Sequence, residues 1–212
     1  MHTLQEVTDA ILRLPPQDRI DLERWFFAYF HARPADLRVE EPPAAYGAAR
    51  RRYSLEEYIA LEKHQQGRHE YVAGEIFAMT GVSRRHNRIN GNLFSAFQQR
   101  LRGGPCEVFI AEFGLRFQAG DDHFSYYPDI MVSCRRDTIQ EDHLSDPKLV
   151  IEVLSPSTER TDRYEKLYNC RQIPSLDEYV LVAQNREELT FHRRAEGWRP
   201  QIVCGKEAVA EF

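Results

Sequence analysis

The stretch KLVIEVLSPSTERTDRYEKLY, from Lys148 to Tyr168, joins a run of branched apolar residues to a run with helical character. In a strand, alternate side chains point to opposite faces, so Leu149, Ile151 and Val153 share one face and Glu152 lies on the other. Both faces are largely apolar, which predicts a buried strand. A buried carboxylate is costly unless a cation or hydrogen bonds compensate its lost hydration.

A second carboxylate, Asp129, lies in the run YYPDIMV from Tyr126 to Val132. It follows Pro128, which restricts the backbone and removes one hydrogen-bond donor, and it begins a strand of core composition. A hard cation shared by two such carboxylates would offset their desolvation. Mg²⁺ is commonly held by one or two carboxylates, with water and phosphate oxygens in its other positions. We therefore predict Mg²⁺ or Mn²⁺ at Asp129 and Glu152.

Length and composition predict a soluble protein of ordinary size. The chain has 212 residues, enough for one domain with a small appendage. Its four cysteines are widely separated, without a CxxC pair, and no secretory leader opens the chain. No apolar run approaches the ~20 residues of a membrane helix. These features favour a cytoplasmic protein with reduced thiols and no membrane partner.

The chain divides into three parts by its patterns. Residues 1–32 contain two apolar helical patterns joined at Pro15-Pro16, which predicts a helical hairpin. This hairpin is either a packing or dimerising arm or a site for a protein partner. Residues 33–52 contain three prolines and little apolar pattern, as in a linker. Residues 53–212 are predicted to form a single α/β domain.

Within this domain, local signals place several elements. Ser54 is predicted to begin a short helix through a capping box with Glu57, and a hairpin is predicted around Gly74. The main helix begins after Ser83, an N-cap residue, and ends at Gly103-Gly104. An apolar stripe at helical spacing runs along this helix, formed by Ile89, Leu93, Phe97 and Leu101. His86 falls on the same inward stripe near the start of the helix.

Charge is distributed unevenly along the chain. The net charge of −5 argues against a protein that coats nucleic acid indiscriminately. Residues 81–104, however, contain five arginines and no acid. Arg84, Arg85 and Arg88 lie at the start of the main helix, where they would contact backbone phosphates if the protein acts on nucleic acid. The alternative is that they form an ordinary solvated helix face.

The order of these elements and acids is suited to phosphodiester hydrolysis, and the motifs resemble a known nuclease superfamily. Pro128-Asp129 and Glu152 resemble the PD-(D/E)XK pattern of restriction-endonuclease-like nucleases. More closely, the region from Tyr53 to about Trp198 is similar to the Uma-type restriction endonuclease family. The matching positions are Glu70-Tyr71, Gly74-Glu75, His86, Pro128-Asp129, the EVLSPST motif at Glu152 to Thr158, and Asp162, Lys166 and Tyr168. The resemblance implies an α/β fold with a mixed central sheet flanked by helices.

One position departs from the superfamily pattern. The pattern has a lysine two residues after the glutamate, and this chain has Leu154 there. The resemblance implies that the lysine has moved to the following helix, where Lys166 is the candidate catalytic residue. The alternative is that Lys166 forms an ion pair with Asp162 on a solvated helix face.

Two further residues are candidate members of the site. His86 is predicted to contact a phosphate or lie beside the metal, because a helix N-terminus favours anions; alternatively it is a histidine at the edge of the core. Glu70 is the extra carboxylate that the resemblance implies. It would complete the metal site or hold His86 or Lys166 in place, and otherwise it is a surface charge.

The resulting functional hypothesis is a Mg²⁺-dependent endonuclease that hydrolyses DNA with Asp129, Glu152 and Lys166. Double-strand cutting generally requires two active sites, so a homodimer is expected. One alternative is a nuclease fold that has lost turnover and binds DNA or protein, which Leu154 favours. Another is a hydrolase of small phosphorylated compounds.

Overall fold

The computed structural model describes residues 51–64, 67–79 and 81–205, all of them within the second of two compact units, residues 50–212. The predicted helical hairpin and residues 33–50 of the predicted linker lie outside the described residues. The helices are α1 (Leu55–His64), α2 (Arg84–Leu101) and α3, which consists of three consecutive segments, Glu159–Thr161, Asp162–Lys166 and Leu167–Cys170. The strands are β1 (His69–Val72), β2 (Glu75–Ala78), β3 (Glu107–Ile110), β4 (Gly114–Ala119), β5 (Asp122–Tyr126), β6 (Ile130–Ser133), β7 (His143–Leu144), β8 (Leu149–Leu154), β9 (Glu178–Ala183), β10 (Glu188–Arg193) and β11 (Pro200–Cys204).

The strands form two sheets. One has six strands in the order β11-β10-β9-β8-β6-β3, and the other has five in the order β2-β1-β5-β4-β7. The pairs β8–β9 and β4–β7 are parallel and the remaining pairs are antiparallel, so both sheets are mixed. The predicted α/β class with mixed sheet and flanking helices is confirmed, with the addition of a second sheet.

Strand β8 separates two apolar cores. Leu149, Ile151 and Val153 belong to the core that also contains the apolar stripe of α2. Val150 and Leu154 belong to the other core, which includes residues of both sheets. The predicted alternation of β8 is confirmed. Glu152 therefore points toward the second core, where it is only 3% exposed.

Pro128 marks the point where the chain passes from one sheet to the other. Strand β5 ends at Tyr126 and pairs with β1 and β4, whereas β6 begins at Ile130 and pairs with β3 and β8. Strand β5 was not predicted from the sequence, because DDH at 121–123 has the composition of a turn. Because proline cannot donate to a ladder of hydrogen bonds, a break at this position is expected. Asp129 consequently lies at the junction between the sheets.

The predicted local signals agree with the observed ends of α1 and α2. Glu57 N donates to Ser54 Oγ at 3.2 Å, and Ser54 N donates to Glu57 Oε2 at 2.9 Å, which is the predicted capping box. The predicted N-cap Ser83 accepts a hydrogen bond from His86 N at 3.1 Å. These bonds satisfy backbone donors that the first helical turn leaves unpaired. The start of α2, and with it the position of His86, is therefore encoded locally.

Helix α3 is irregular at its centre. The segment Asp162–Lys166 is π-helical, whereas the segments on both sides are α-helical. Such a bulge accommodates one extra residue and occurs frequently at functional sites. It buries both ends of the segment, Asp162 at 2% exposure and Lys166 at 6%.

Two of the four cysteines form a disulfide bond. Cys106 and Cys134 are joined directly beyond the pair Glu107↔Ser133, at one end of the antiparallel ladder between β3 and β6. The expectation that all four thiols are reduced is wrong for this pair. Spacing along the sequence gave no signal, because the two residues meet only through strand pairing.

Replacing Cys106 with serine is expected to lower the free energy of unfolding by about 2–4 kcal/mol, because the crosslink restricts the unfolded chain. Urea denaturation with and without a thiol reductant measures this effect. Cys204→Ser is the control, since Cys204 is an exposed free thiol, and we expect it to change little. Equal stability of oxidised wild type and Cys106→Ser would contradict the prediction.

Among the helices in the described part of the chain, none combines the length and apolar character that crossing a membrane requires.

Candidate active site

The two carboxylates predicted to share a cation lie side by side. Asp129 precedes β6 and Glu152 lies in β8, and the register Ile130↔Ile151 brings them level. Asp129 N donates to Glu152 Oε2 at 3.3 Å, and Val153 N donates to Asp129 Oδ2 at 2.7 Å. No arginine among the described residues forms an ion pair with either carboxylate.

Lys166 reaches the same place from α3. Its Nζ lies 2.9 Å from Glu70 Oε1, 3.2 Å from Glu152 Oε1 and 3.3 Å from Asp162 Oδ1. The pair with Asp162 is the i,i+4 pair that the alternative hypothesis required, but both side chains are buried rather than solvated. The π-helical turn thus places Lys166 beside Glu152 of β8. Leu154, which stands at the position of the lysine in the superfamily pattern, is packed in the core instead.

Burial and charge determine the protonation of this cluster. Burial raises the pKa of Glu152 well above its ordinary value, and the nearby Lys166 ammonium lowers it only in part. Burial alone would lower the pKa of Lys166, but the Glu152, Glu70 and Asp162 carboxylates raise it more strongly, well above its ordinary value. Lys166 is therefore a charged ammonium at neutral pH.

His86 contacts Asp129 from the first turn of α2. Its Nε2 lies 3.1 Å from Asp129 Oδ2, and the residue is 4% exposed. Burial lowers the pKa of His86, but the hydrogen bond and the charge of Asp129 raise it more, so the net pKa is above its ordinary value. The inward orientation predicted from the helical stripe is observed.

Asn90 is a site residue that sequence analysis missed. Its Nδ2 donates to Asp129 Oδ1 at 2.7 Å and lies 3.4 Å from His86 Nδ1. Asn90 is 4% exposed, and its Oδ1 has no hydrogen-bond partner among the described residues. The available signal was spacing, because a polar residue four positions after His86 lies on the same helix face.

Gln184 ties the start of α2 to the end of β8. Its Nε2 donates to the Leu154 carbonyl oxygen at 2.7 Å, and Ser83 Oγ donates to its Oε1 at 3.0 Å. No pattern in the sequence marks Gln184 as a functional or structural residue. The contact fixes the helix that carries His86 against the strand that carries Glu152.

The remaining predicted residues surround this cluster. Glu70 is not a surface charge, because its side chain is 15% exposed and paired with Lys166. It holds Lys166, which was one of its predicted roles. Arg84, Arg85 and Arg88 are exposed and form no ion pair with another described residue. They lie on the first turns of α2, on either side of the buried His86.

The cluster offers carboxylate oxygens, the ligand type that a hard cation prefers, although the described residues form no complete protein cage for one. Among the described residues, no group of three or more His, Cys, Asp or Glu side chains is arranged to hold a metal ion. Asp129 and Glu152 supply two carboxylates, which is the usual protein contribution to Mg²⁺. Glu70 and Asp162 join Glu152 around Lys166, so three carboxyl groups share one lysine. The unpaired Asn90 Oδ1 adds a buried acceptor suited to an O–H donor.

The amino-acid sequence is similar to one family model and to two proteins of Synechocystis. The family model described as "Uma2: Putative restriction endonuclease" matches residues 55–211. An uncharacterised protein of Synechocystis, slr1290, is 37% identical over 146 residues, which cover 68% of this chain and 76% of that protein. A second, sll1609, is 28% identical over 161 residues, which cover 74% of this chain and 90% of that protein.

A solved structure shares the fold. It is the crystal structure of a protein from Anabaena variabilis described as "a putative nuclease belonging to DUF820". The TM-score is 0.62 at 19% sequence identity, and the match covers 76% of this chain and 89% of that chain. Every predicted site residue, from Glu70 to Lys166, lies within residues 55–211.

Proposed function

The chain belongs to the Uma2 family, and from this membership we propose that it is a metal-dependent endonuclease that hydrolyses DNA phosphodiester bonds. One observation carries the proposal. The Lys166 ammonium lies 3.2 Å from Glu152, whose strand neighbour Asp129 faces the same cluster. Paired carboxylates can hold the cation that assists phosphodiester hydrolysis, and a neighbouring lysine can stabilise the charge that develops.

Asp129 and Glu152 are the proposed ligands of Mg²⁺ or Mn²⁺. When bound there, the cation supplies Lewis acidity, which polarises the scissile phosphate and lowers the pKa of an attacking water. Asn90 and His86 position the Asp129 carboxylate by donating to its two oxygens at 2.7 and 3.1 Å. Such supporting hydrogen bonds orient ligands and tune their affinity.

Lys166 is proposed to act as a charge rather than as a base. Its raised pKa keeps the ammonium protonated at neutral pH, so it cannot accept a proton from water. An ammonium at this position can orient the attacking water and stabilise negative charge that develops on the phosphate. Glu70 and Asp162 hold it in place from two other directions.

The exposed arginines are the proposed contacts to the DNA backbone. Arg84, Arg85 and Arg88 lie in the first turns of α2, the helix that contributes His86. Arginines without carboxylate partners are available to bind phosphates, and such contacts make affinity depend on salt. Cutting both strands of a duplex would require two sites, so we propose a homodimer, testable by light scattering.

The function is tested by plasmid cleavage with added Mg²⁺. Wild type is expected to nick or linearise the plasmid, whereas Asp129→Ala and Glu152→Ala are expected to lose activity by about a thousandfold or more, because each removes several kcal/mol of metal-dependent stabilisation. Chelation of the metal should abolish cleavage by wild type. Equal activity of all three proteins would reject the assignment.

One observation favours a second function. Both oxygens of Asp129 already accept hydrogen bonds from Asn90, Val153 and His86, so the carboxylate is satisfied without a cation. A nuclease fold whose Asp129 carboxylate needs no metal ion could serve as a DNA- or protein-binding module. Calorimetric titration with Mn²⁺ distinguishes the two functions, because the module would take up no Mn²⁺ that depends on Asp129.

A further inference from the structure

An exposed aromatic residue lies directly beside the proposed active site. Phe77 in β2 pairs with Glu70 in β1, and directly opposed residues of an antiparallel pair point to the same face with Cβ atoms about 4.5–5.5 Å apart. Glu70 contacts Lys166 at 2.9 Å. Phe77 therefore lies on the face of the sheet that lines the site, yet it is 43% exposed.

Two more exposed apolar side chains follow Phe77 in the sequence before α2 begins. Met79, one residue beyond the end of β2, is 42% exposed, and Val82, which is 63% exposed, directly precedes the N-cap Ser83. Phe77, Met79 and Val82 form what we call the apolar rim. In the sequence, the rim lies between the hairpin that carries Glu70 and the helix that carries His86. Three of the five exposed large apolar residues described lie in this one segment.

Cations follow the rim immediately in the sequence. Arg84, Arg85 and Arg88 are exposed and have no ion-pair partner among the described residues. A surface that combines an exposed aromatic ring with neighbouring cations has the composition of a single-stranded nucleic-acid groove, where bases stack and arginines bind the backbone. A duplex offers phosphates and base edges, because its base faces are already stacked on one another. Within a nucleic acid, therefore, an unpaired base is the part that can stack on the Phe77 ring.

We propose that the apolar rim stacks an unpaired base, so that the preferred substrate is single-stranded DNA or a duplex with an unpaired end. In a nuclease, Phe77 would direct the unpaired strand across the cluster of Glu70, Glu152 and Lys166. That consequence rests on the proposed nuclease function. The rim itself is a binding surface and requires no hydrolysis.

Binding is measured on the full chain in EDTA, so that cleavage does not interfere. The probes are a fluorescein-labelled oligothymidine and a labelled blunt hairpin duplex. Phe77→Ser is expected to weaken oligothymidine binding roughly 5- to 100-fold, from the loss of base stacking, and to leave hairpin binding within about twofold. Phe77→Trp should retain the affinity, and its added fluorescence should be quenched by oligothymidine and not by the hairpin.

Ile202→Ser is the matched control. Ile202 is 63% exposed on β11, the edge strand at the far side of the six-stranded sheet from β6. The Ile202→Ser substitution removes an exposed apolar side chain that lies outside the rim, so the affinities for oligothymidine and for the hairpin should both stay unchanged. Thermal unfolding of Phe77→Ser checks that the fold is retained.

Several results would overturn the proposal. Equal losses on both probes, unchanged affinity for oligothymidine, or an Ile202→Ser effect as large as that of Phe77→Ser would each do so. Dissociation of a dimer by Phe77→Ser with unchanged DNA affinity would show that the rim binds a second copy instead. If Phe77-dependent stacking is found but Mg²⁺ supports no cleavage, the rim stands and the nuclease function fails. If wild type and Phe77→Ser cleave single-stranded DNA equally well with Mg²⁺, the nuclease function stands and the rim proposal fails.

Discussion

Replacing Lys166 with methionine is expected to lower the free energy of unfolding by about 3–5 kcal/mol and to abolish DNA cleavage. The substitution keeps an unbranched side chain of similar length but leaves Glu70, Glu152 and Asp162 without their shared cation. Removing one partner of a buried ion pair is strongly destabilising, because the remaining charge is desolvated and uncompensated. Urea denaturation in EDTA measures the loss of stability.

The control is Lys148→Met. Lys148 also forms a short ion pair, 2.8 Å from Asp177, but both side chains are about half exposed. Exposed pairs contribute about 0–1 kcal/mol, so we expect little change. The double variant Lys166→Met with Glu152→Gln should recover part of the lost stability, since the two groups are coupled. A Lys166→Met protein within about 1 kcal/mol of wild type would contradict the buried ion pair.

Replacing Glu152 with glutamine is expected to preserve or raise the stability of the metal-free protein and to abolish its proposed cleavage of DNA. The pKa of Glu152 is raised by burial, so its charge is costly in the folded protein without metal. Glutamine removes that charge at nearly constant volume, and the unfolding midpoint in EDTA should equal or exceed that of wild type. The same change removes a proposed metal ligand, so cleavage should be lost.

Thermal unfolding with added Mn²⁺ provides the direct measurement. At a Mn²⁺ concentration about 100 times the dissociation constant, wild type should gain about 2.7 kcal/mol, which corresponds to roughly 5–10 °C for a domain of this size. Glu152→Gln should lose this shift. Asp162→Asn is the matched variant, because Asp162 is equally buried beside Lys166 but is not a proposed ligand. If both variants kept the shift, Glu152 would not bind the metal.

The parts of the fold that follow from local physics were predictable from the sequence. The alternation in β8, the capping box at Ser54 and the N-cap at Ser83 depend on neighbouring residues, and the structure confirms them. The inward placement of His86 follows from helical periodicity. Lys166 could be placed near Glu152 only through the family resemblance, because their contact spans 14 residues and depends on how α3 packs.

The parts that were missed depend on tertiary pairing. The two-sheet arrangement arises because Pro128 ends one ladder and Ile130 begins another. The Cys106–Cys134 bond depends on the register of β3 and β6. Asn90 is an ordinary polar helix residue until Asp129 is brought against it at 2.7 Å. The sheet junction and the disulfide have no signature in spacing along the chain, and Asn90 has only its position four residues after His86.

The π-helical turn at Asp162–Lys166 has a consequence for comparing relatives. A bulge of this kind holds one residue more than an α-helix of the same length, and each residue turns the helix by about 100°. Deleting the extra residue would restore a regular α-helix and bring the lysine one position closer to Glu152 in the sequence. In a relative that lacks the bulge, the number of residues between the β8 glutamate and the lysine would differ by one. An alignment without a gap at this turn would then pair Lys166 with another residue, and the functional lysine of the relative would be overlooked.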